Sequence, residues 1–141
     1  MPHFDNPSEA AGHLLAMAER RSEATRRATA DGALVIERQI KLQLSRSSHV
    51  RGTPTPSNPG QPPSLISGNL RRSVGSTRPR PLGLAGWEAS FGPTAVYGRI
   101  HEFGGQTGRL GRTTLPPRPY VAPGVAVAVP QVAAIFRAAW R

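Results

Sequence analysis

The chain is 141 residues long, which fits a single domain over 1–141 with one modest core. Hydrophobic residues make up 38%, and glycine and proline number 15 each, so long loops are expected beside that core. The net charge of +10 favours nucleic acid or an acidic protein as a partner, with a solvated arginine-rich surface as the alternative. The absence of cysteine excludes disulfides and thiolate chemistry.

The first predicted element is one long helix over residues 7–44. Asn6 supplies an N-cap, Pro7 suits the first helical position, and Glu9 lies three residues after the cap. Apolar residues then recur at helical spacing, as Ala11, Leu14, Leu15, Ala18, Ala33, Ile36, Ile40 and Leu44. Arginines and glutamates fill the opposite face, so the pattern indicates an amphipathic helix.

The middle of this helix departs from the pattern. Residues 19–30 are polar apart from their alanines, and we expect them to project from the domain or to meet a partner. Further along, Asp31 and Gly32 either kink the helix or divide it into two.

Residues 45–63 are predicted to be a flexible linker. Five prolines, two glycines and several serines and threonines fall in this stretch. Such a composition buries too little apolar surface to offset the entropy lost on ordering. We expect the linker to be mobile in the isolated chain, with ordering on assembly as an open alternative.

Residues 64–105 are predicted to form a β-hairpin and a short helix. A helical turn over 64–70 leads into strands 70–77 and 84–91, which are joined by a basic tip stiffened by proline. Apolar side chains alternate with polar ones in the second strand, as Trp87, Ala89 and Phe91 against Glu88 and Ser90. The helix spans 94–103, and its apolar stripe contains Val96, Tyr97, Ile100 and Phe103.

The rest of the chain is predicted as a loop and extended segment over 106–123 and a C-terminal helix over 124–141. Pro130 either kinks that helix or marks its first turn, and Trp140 either closes the core or marks an interface. The uncharged stretch between Arg118 and Arg137 includes several prolines, and alanine and valine make up much of the remainder. A membrane span needs about 20 strongly apolar residues, so we expect none here.

No residue pattern in the chain matches a known catalytic or metal site. His101 and Glu102 are adjacent, but the second histidine of a helical zinc site would fall at position 105, which is Gly105. The glycine-rich stretch 105–113 lacks the spacing and the lysine of a phosphate-binding loop. We therefore expect neither enzymatic activity nor a metal or cofactor.

Three short blocks carry a family resemblance. They are Ser-Gly-Asn-Leu-Arg-Arg-Ser-Val at 67–74, Val-Tyr-Gly-Arg-Ile-His-Glu-Phe-Gly at 96–104 and Leu-Pro-Pro-Arg-Pro-Tyr-Val-Ala-Pro at 115–123. In this order they resemble the tailed-phage neck or tail-completion family typified by the gene-10 product of a lambdoid coliphage, related to lambda's Z protein. The resemblance covers about residues 14–141. The chain departs from the family at Gly98, Gly105 and Tyr120–Val121, and its proline-rich insertion at 53–63 is longer than usual.

The resemblance implies an α+β fold, in which the long N-terminal helix and the C-terminal helix pack on a small antiparallel sheet beside a long proline-rich loop. It also implies a homo-oligomeric ring of six-fold or twelve-fold symmetry in the virion neck, assembled in the host cytoplasm. The ring's partners would be the head-closure or connector proteins on one side and the tail-terminator or tail-tube proteins on the other. The motif residues that it points to are Leu70, Tyr97, Glu102, Phe103, Gly104, Arg118, Pro119 and Tyr120.

A basic middle stretch suggests where such a ring would meet DNA. Between Glu37 and Glu88 there is no acidic residue, while eight basic side chains fall there. The candidates for non-specific contact with DNA in the channel, or with a protein partner, are Arg71, Arg72, Arg78 and Arg80.

Within the motif blocks, Glu102 and Arg118 are one acid and one forked base in rigid, apolar surroundings. We predict that they form an ion pair tying the short helix to residues 115–120, here called the proline-rich strand, against the alternative of two unrelated surface charges. Two other functions remain open for the whole chain: a tail terminator or another connector subunit, and a basic nucleic-acid-binding protein.

Overall fold

The computed structural model describes residues 6–50, 52, 57–83 and 86–141, and its fold is α+β, as the resemblance implies. Two long helices, α1 (Pro7–Gln43) and α4 (Val121–Ala139), stand at the two ends of the described chain. Between them lie short helices and strands in the order α2 (Asn69–Ser73), β1 (Val74–Ser76), β2 (Arg80–Pro81), β3 (Trp87–Glu88), β4 (Phe91–Pro93), α3 (Gly98–Phe103), β5 (Gly105–Thr107) and β6 (Thr113–Leu115).

Helix α1 begins where its capping signal predicts. The side chain of Asn6 accepts a hydrogen bond of 2.9 Å from the backbone N–H of Glu9, and Pro7 occupies the first turn. The helix then continues unbroken through Asp31 and Gly32, so the alternative in which they divide it is wrong. Gly32 has a packing reason instead, because a Cβ there would lie 3.3 Å from Cγ1 of Val132 on α4.

Helix α4 lies antiparallel to α1 along much of its length. Gly124 approaches Ile40 at one end, and at the other the indole N–H of Trp140 donates to Thr25 Oγ1 at 3.2 Å. Arg21 donates to the carbonyl of Trp140 at 2.9 Å, and Ala28 between them is buried. The alternative in which residues 19–30 project from the domain is therefore wrong, and the one in which they meet a partner stays a prediction. Alanine is small enough for a second helix to cover this polar stretch at close range.

The C-terminal helix begins at Val121, three residues before the predicted start at 124. Pro123 falls in its first turn, where the missing N–H of proline costs no helical hydrogen bond. Pro130 lies inside the helix, so the alternative in which it marks the first turn is wrong.

The β-structure is divided among three two-stranded antiparallel ladders in the described residues, where one small sheet is implied by the resemblance. β1 pairs with β4, with Val74 opposite Pro93, and β2 pairs with β3, with Arg80 opposite Glu88. These two ladders occupy the predicted hairpin but are shorter, because residues 69–73 form α2. The predicted loop after position 105 contains the third ladder, β5–β6, whose turn uses the positive φ angles of Gly108 and Gly111.

The described part of the predicted linker is held at both ends. The N–H of Gly60 donates to the carbonyl of Pro117 at 2.9 Å, and Pro62 and Pro63 are buried. Near its start, Ser47 accepts a backbone hydrogen bond of 2.7 Å from Leu65. The linker's residues 51 and 53–56 lie outside the described residues. Prolines supply apolar surface without an N–H to satisfy, which suits them to burial against an extended segment.

A compact core joins these elements where the end of α1 meets β1 and the start of α4. Its buried side chains are Ile40, Leu44, Val74 and Tyr120, with Ile36, Leu70 and Val121 packed against them. Ile40 and Tyr120 are the large side chains that are fully buried among the described residues. The core therefore lies beside the three motif blocks and not at the centre of the long helices.

The close approach at Gly124 predicts a stability difference between two glycine variants. A Cβ at Gly124 would lie 2.9 Å from backbone atoms of Ile40, whereas a Cβ at Gly12 meets nothing within 4 Å. Gly124→Ala should lower the free energy of unfolding by about 1–3 kcal/mol through overpacking. Gly12→Ala should raise it by about 0.5–1 kcal/mol, because alanine loses less entropy in a helix. Urea titration followed by circular dichroism measures both, and equal effects would contradict the packing.

Glu37, which ties α1 to β1, predicts an acid-sensitive contribution to stability. Its carboxylate accepts from Lys41 Nζ at 2.5 Å and from Ser76 Oγ at 2.7 Å, and these hydrogen bonds lower the pKa of Glu37 below 4.5. The stabilisation is complete above that ordinary pKa and is lost as the pH falls through the lowered folded value. Glu37→Gln should cost about 1 kcal/mol near neutral pH and less at low pH, whereas Glu19→Gln should cost almost nothing at either pH. Urea titrations across the acid range measure this, and a cost independent of pH would refute it.

Candidate functional site

The three motif blocks meet at a junction where α3, the proline-rich strand and the start of α4 come together. At its centre the carboxylate of Glu102 accepts three backbone hydrogen bonds, from the N–H groups of Tyr120 at 2.8 Å, Val121 at 2.9 Å and Ala122 at 3.0 Å. The first N–H groups of a helix have no partner within the helix, and its N-terminus attracts negative charge. Glu102 therefore caps α4 from a different element.

The predicted ion pair between Glu102 and Arg118 is wrong. The Arg118 side chain is buried, and its Nε donates instead to the carbonyl of Ser57 at 3.0 Å. The backbone N–H of Arg118 donates to the carbonyl of His101 at 2.7 Å. Both residues join the short helix to the proline-rich strand, as expected, but each does so through backbone partners. Three amides at a helix N-terminus already satisfy the carboxylate.

Tyr120 is the fully buried side chain of the junction. Its hydroxyl donates to the carbonyl of Gly98 at 3.1 Å. Burial, followed by the nearby charge of Glu102, raises the pKa of Tyr120 well above its ordinary value, so the phenol remains protonated and can donate. A Cβ at Gly98 would lie 2.7 Å from Pro93 Cγ, so this close approach favours glycine.

Gly104 makes the turn that brings the second block against the third. Its φ of 70° is left-handed, and a Cβ there would lie 2.8 Å from both the Leu115 carbonyl oxygen and the Pro117 nitrogen. An L side chain is disfavoured at such an angle and would collide with backbone. Pro119 lies partly buried between Arg118 and Tyr120.

The remaining motif residues divide between the interior and the surface. Leu70 packs against the core cluster. Tyr97 is 40% exposed and meets the ring of His101 edge-on at 6.0 Å, and Phe103 is 73% exposed. Desolvation by burial and then the charge of Arg118 lower the pKa of His101 from its ordinary value of 6.5. Among the residues that the structure describes, no cluster of His, Cys, Asp and Glu suited to a metal ion is found.

The four candidate DNA-contacting arginines are exposed, but they do not form part of the junction. Arg71 and Arg72 lie on α2, where Arg72 donates to the side chain of Asn69. Arg78 precedes β2, and Arg80 on β2 pairs with Glu88 at 2.6 Å. The charge of Arg80 is thus partly neutralised. The sequence pattern alone did not predict this cross-strand ion pair.

The outer face of α4 is an apolar surface that sequence reasoning did not single out. Val127, Pro130 and Ala134 lie at helical spacing on the side away from α1, and all are exposed. Only 11% of the most apolar 18-residue window of α4 is buried, although its mean hydropathy is 1.5. By length and composition alone, α4 is the one helix in the described ranges that could cross a membrane. An exposed apolar stripe of this kind is typical of an interaction surface.

A second exposed apolar surface lies on α1 beyond the end of α4. Leu14 is 64% exposed and Leu15 is 66% exposed, and both lie N-terminal to the contacts of Trp140 with Arg21 and Thr25. This half of α1 has apolar side chains on one face and no described neighbour to bury them.

No protein-family profile matches the chain, and no curated protein or solved structure is significantly similar to it.

The capping contact predicts that Glu102 is a stabilising residue. Glu102→Ala should lower the free energy of unfolding by about 1–2 kcal/mol, because three amide donors at the start of α4 lose their acceptor. Glu102→Gln, which keeps one carbonyl acceptor but no charge, should cost less. Glu19→Ala, at an exposed position of α1, is the matched control and should be nearly neutral. Thermal and urea unfolding measure the three variants, and a wild-type midpoint for Glu102→Ala would rule out the cap.

Proposed function

We propose that the chain is a structural subunit of a tailed-phage virion, a neck or tail-completion component that joins head to tail in a ring around the DNA channel. The observation that carries an assembly function is the outer face of α4, which is strongly apolar and yet exposed in the single chain. Solvent-facing apolar surface of this extent is costly for a monomer, and neighbouring subunits would remove it from water.

The kind of assembly, a ring in the virion neck, is proposed from the family resemblance. The structure joins the second and third blocks through Glu102, Tyr120 and Gly104. The first block packs against the same region, because its Leu70 and Val74 belong to the core that contains Tyr120. Blocks that form one junction are more informative than three separate short matches, because each depends on the others for its geometry. This supports the proposal that the blocks mark a common architecture.

The junction itself favours a structural role. The carboxylate of Glu102 is engaged by three amides, and the Tyr120 hydroxyl and the Arg118 Nε each donate to a backbone carbonyl. These polar groups hold neighbouring elements together. Because each already has a hydrogen-bond partner, few donors or acceptors remain to bind a substrate. The exposed arginines Arg71 and Arg78 would then face DNA or a neighbour, attracted to phosphates without reading sequence.

A basic nucleic-acid-binding protein is the second candidate, and the net charge of +10 favours it. The two functions differ in what the isolated chain does. A nucleic-acid-binding protein binds duplex DNA tightly as a monomer, with affinity that falls steeply with salt. A neck subunit associates with its own copies and binds DNA weakly on its own. A tail terminator or another connector subunit would share the ring, and only its position in the virion would differ.

Disrupting the outer face of α4 should abolish assembly without unfolding the chain. Val127→Glu places a charge on the exposed apolar stripe and should reduce the mass of the purified species toward the 15.0 kDa of one chain. Its unfolding free energy should stay within about 0.5 kcal/mol of the wild type, because Val127 is exposed in the monomer. Gln106→Glu, at an exposed polar position on β5 and outside α4, is the matched control and should assemble normally.

Light scattering of the purified variants and imaging of virions test the proposal together. A stop codon in the gene should yield DNA-filled heads and separate tails, and a plasmid copy carrying Val127→Glu should fail to restore joining. Normal tailed particles in the absence of the protein would refute the neck function.

A further inference from the structure

We propose that the turn of the β5–β6 hairpin, residues 108–112 and here named the hairpin tip, binds the phosphate backbone of duplex DNA through Arg109 and Arg112. Both arginines are exposed, and they lie three residues apart between the two strands. This inference rests on the proposed function for the source of the DNA, which is the genome in the channel. It adds a DNA-binding surface outside the basic middle stretch of the sequence.

The two arginines of the hairpin tip have no partner in the described part of the chain. Neither side chain makes a hydrogen bond or an ion pair there. By contrast, Arg80 on β2 pairs with Glu88, and Arg72 on α2 donates to Asn69. An arginine without an acceptor in its own chain keeps all its guanidinium N–H donors for an external one.

The sequence around the hairpin tip does not offset this charge. No acidic residue occurs from position 103 to position 141. The nearest acid in sequence, Glu102, already accepts hydrogen bonds from three amides at the start of α4. The hairpin tip is therefore a basic surface that attracts a negatively charged partner.

The strands on either side hold the backbone of the hairpin tip in place. β5 and β6 pair over three positions, and Thr107 lies opposite Thr113 next to the turn. At the other end of the ladder, the left-handed turn at Gly104 lies close to the backbone of Leu115. A surface whose backbone is ordered before binding loses less entropy when it binds.

The composition of the hairpin tip fits phosphate better than an acidic protein surface. Arginine binds phosphate through two parallel hydrogen bonds, and threonine hydroxyls are common phosphate donors. Thr113 and Thr114 are exposed directly after the turn. Leu110 is the one apolar side chain among residues 108–112, and no aromatic residue falls in 105–115. Aromatic residues are enriched in protein interfaces, so their absence from this segment favours DNA.

The spacing of the two arginines also suits a duplex. Their Cα atoms are at most about 11 Å apart, because they are three residues apart in the chain. A duplex carries about one phosphate per 1.7 Å of its axis, so several phosphates fall within that distance. Both arginines can therefore contact one stretch of DNA backbone, and such contacts do not read sequence.

Fluorescence anisotropy of a short labelled DNA duplex, titrated with the full chain at several salt concentrations, tests the inference. Arg109→Gln combined with Arg112→Gln should reduce the slope of log affinity against log salt by about 2, because each phosphate contact contributes about 0.9. The loss of affinity between about 50 and 200 mM salt should thus become about tenfold smaller than for the wild type. Duplexes of unrelated sequence should give the same values.

Two control variants separate phosphate binding from total charge and from folding. Arg20→Gln combined with Arg38→Gln removes the same charge from exposed positions of α1 and should leave the slope near that of the wild type. Arg109→Lys combined with Arg112→Lys keeps the charge of the hairpin tip and should retain the slope. Circular dichroism should be the same for all three double variants and the wild type.

Several results would overturn the inference. They are an unchanged slope for the glutamine variant of the hairpin tip, an equal reduction for the α1 variant, an equal reduction for the lysine variant, and a wild-type chain that binds no duplex even at low salt. If the glutamine variant loses binding to a poly-glutamate peptide but keeps binding to the duplex, the hairpin tip meets an acidic protein instead. The neck function is decided separately by the stop-codon test, which does not depend on these titrations.

Discussion

The close packing of α4 on α1 is the constraint on which the rest of the structure depends. Each β-ladder has two short strands, and a two-stranded ladder is at best marginally stable in water. The largest fully buried side chains, Ile40 and Tyr120, come from α1 and from the residue before α4. Where these elements meet, Gly124 brings the two helices into backbone contact. Val74 of β1 packs into the core at this point, so the short strands depend on the packed helices for burial.

Local signals in the sequence were sufficient to predict α1. Its cap, its first-turn proline and its periodic apolar residues all lie within or next to the helix, and the predicted range of 7–44 ends one residue beyond Gln43. Helix α4 begins earlier than predicted because its cap is not local. Glu102 is 18 residues from Tyr120 in sequence, and no residue pattern within α4 predicts such a capping partner.

The junction shows the same limit at the level of single residues. The resemblance pointed to Glu102 and Arg118, and both prove to hold α3 against the proline-rich strand. Their partners are backbone groups, which no side-chain pattern reveals, so the ion-pair prediction paired the wrong groups. The polar stretch 19–30 was misread for a related reason. Alanines such as Ala28 look weakly apolar in a sequence, but they permit a close helix neighbour that only the fold supplies.

The remote cap of α4 has a consequence for how the chain acquires its structure during synthesis. A nascent α1 has its own start signal within one turn, and helix formation of that kind takes roughly a microsecond or less. The cap of α4 instead needs a loop closure that places α3 beside it, because Glu102 lies 18 to 20 residues from the three amides that donate to it. The first turn of α4 therefore depends on tertiary structure for its stability, whereas the first turn of α1 carries its own local cap.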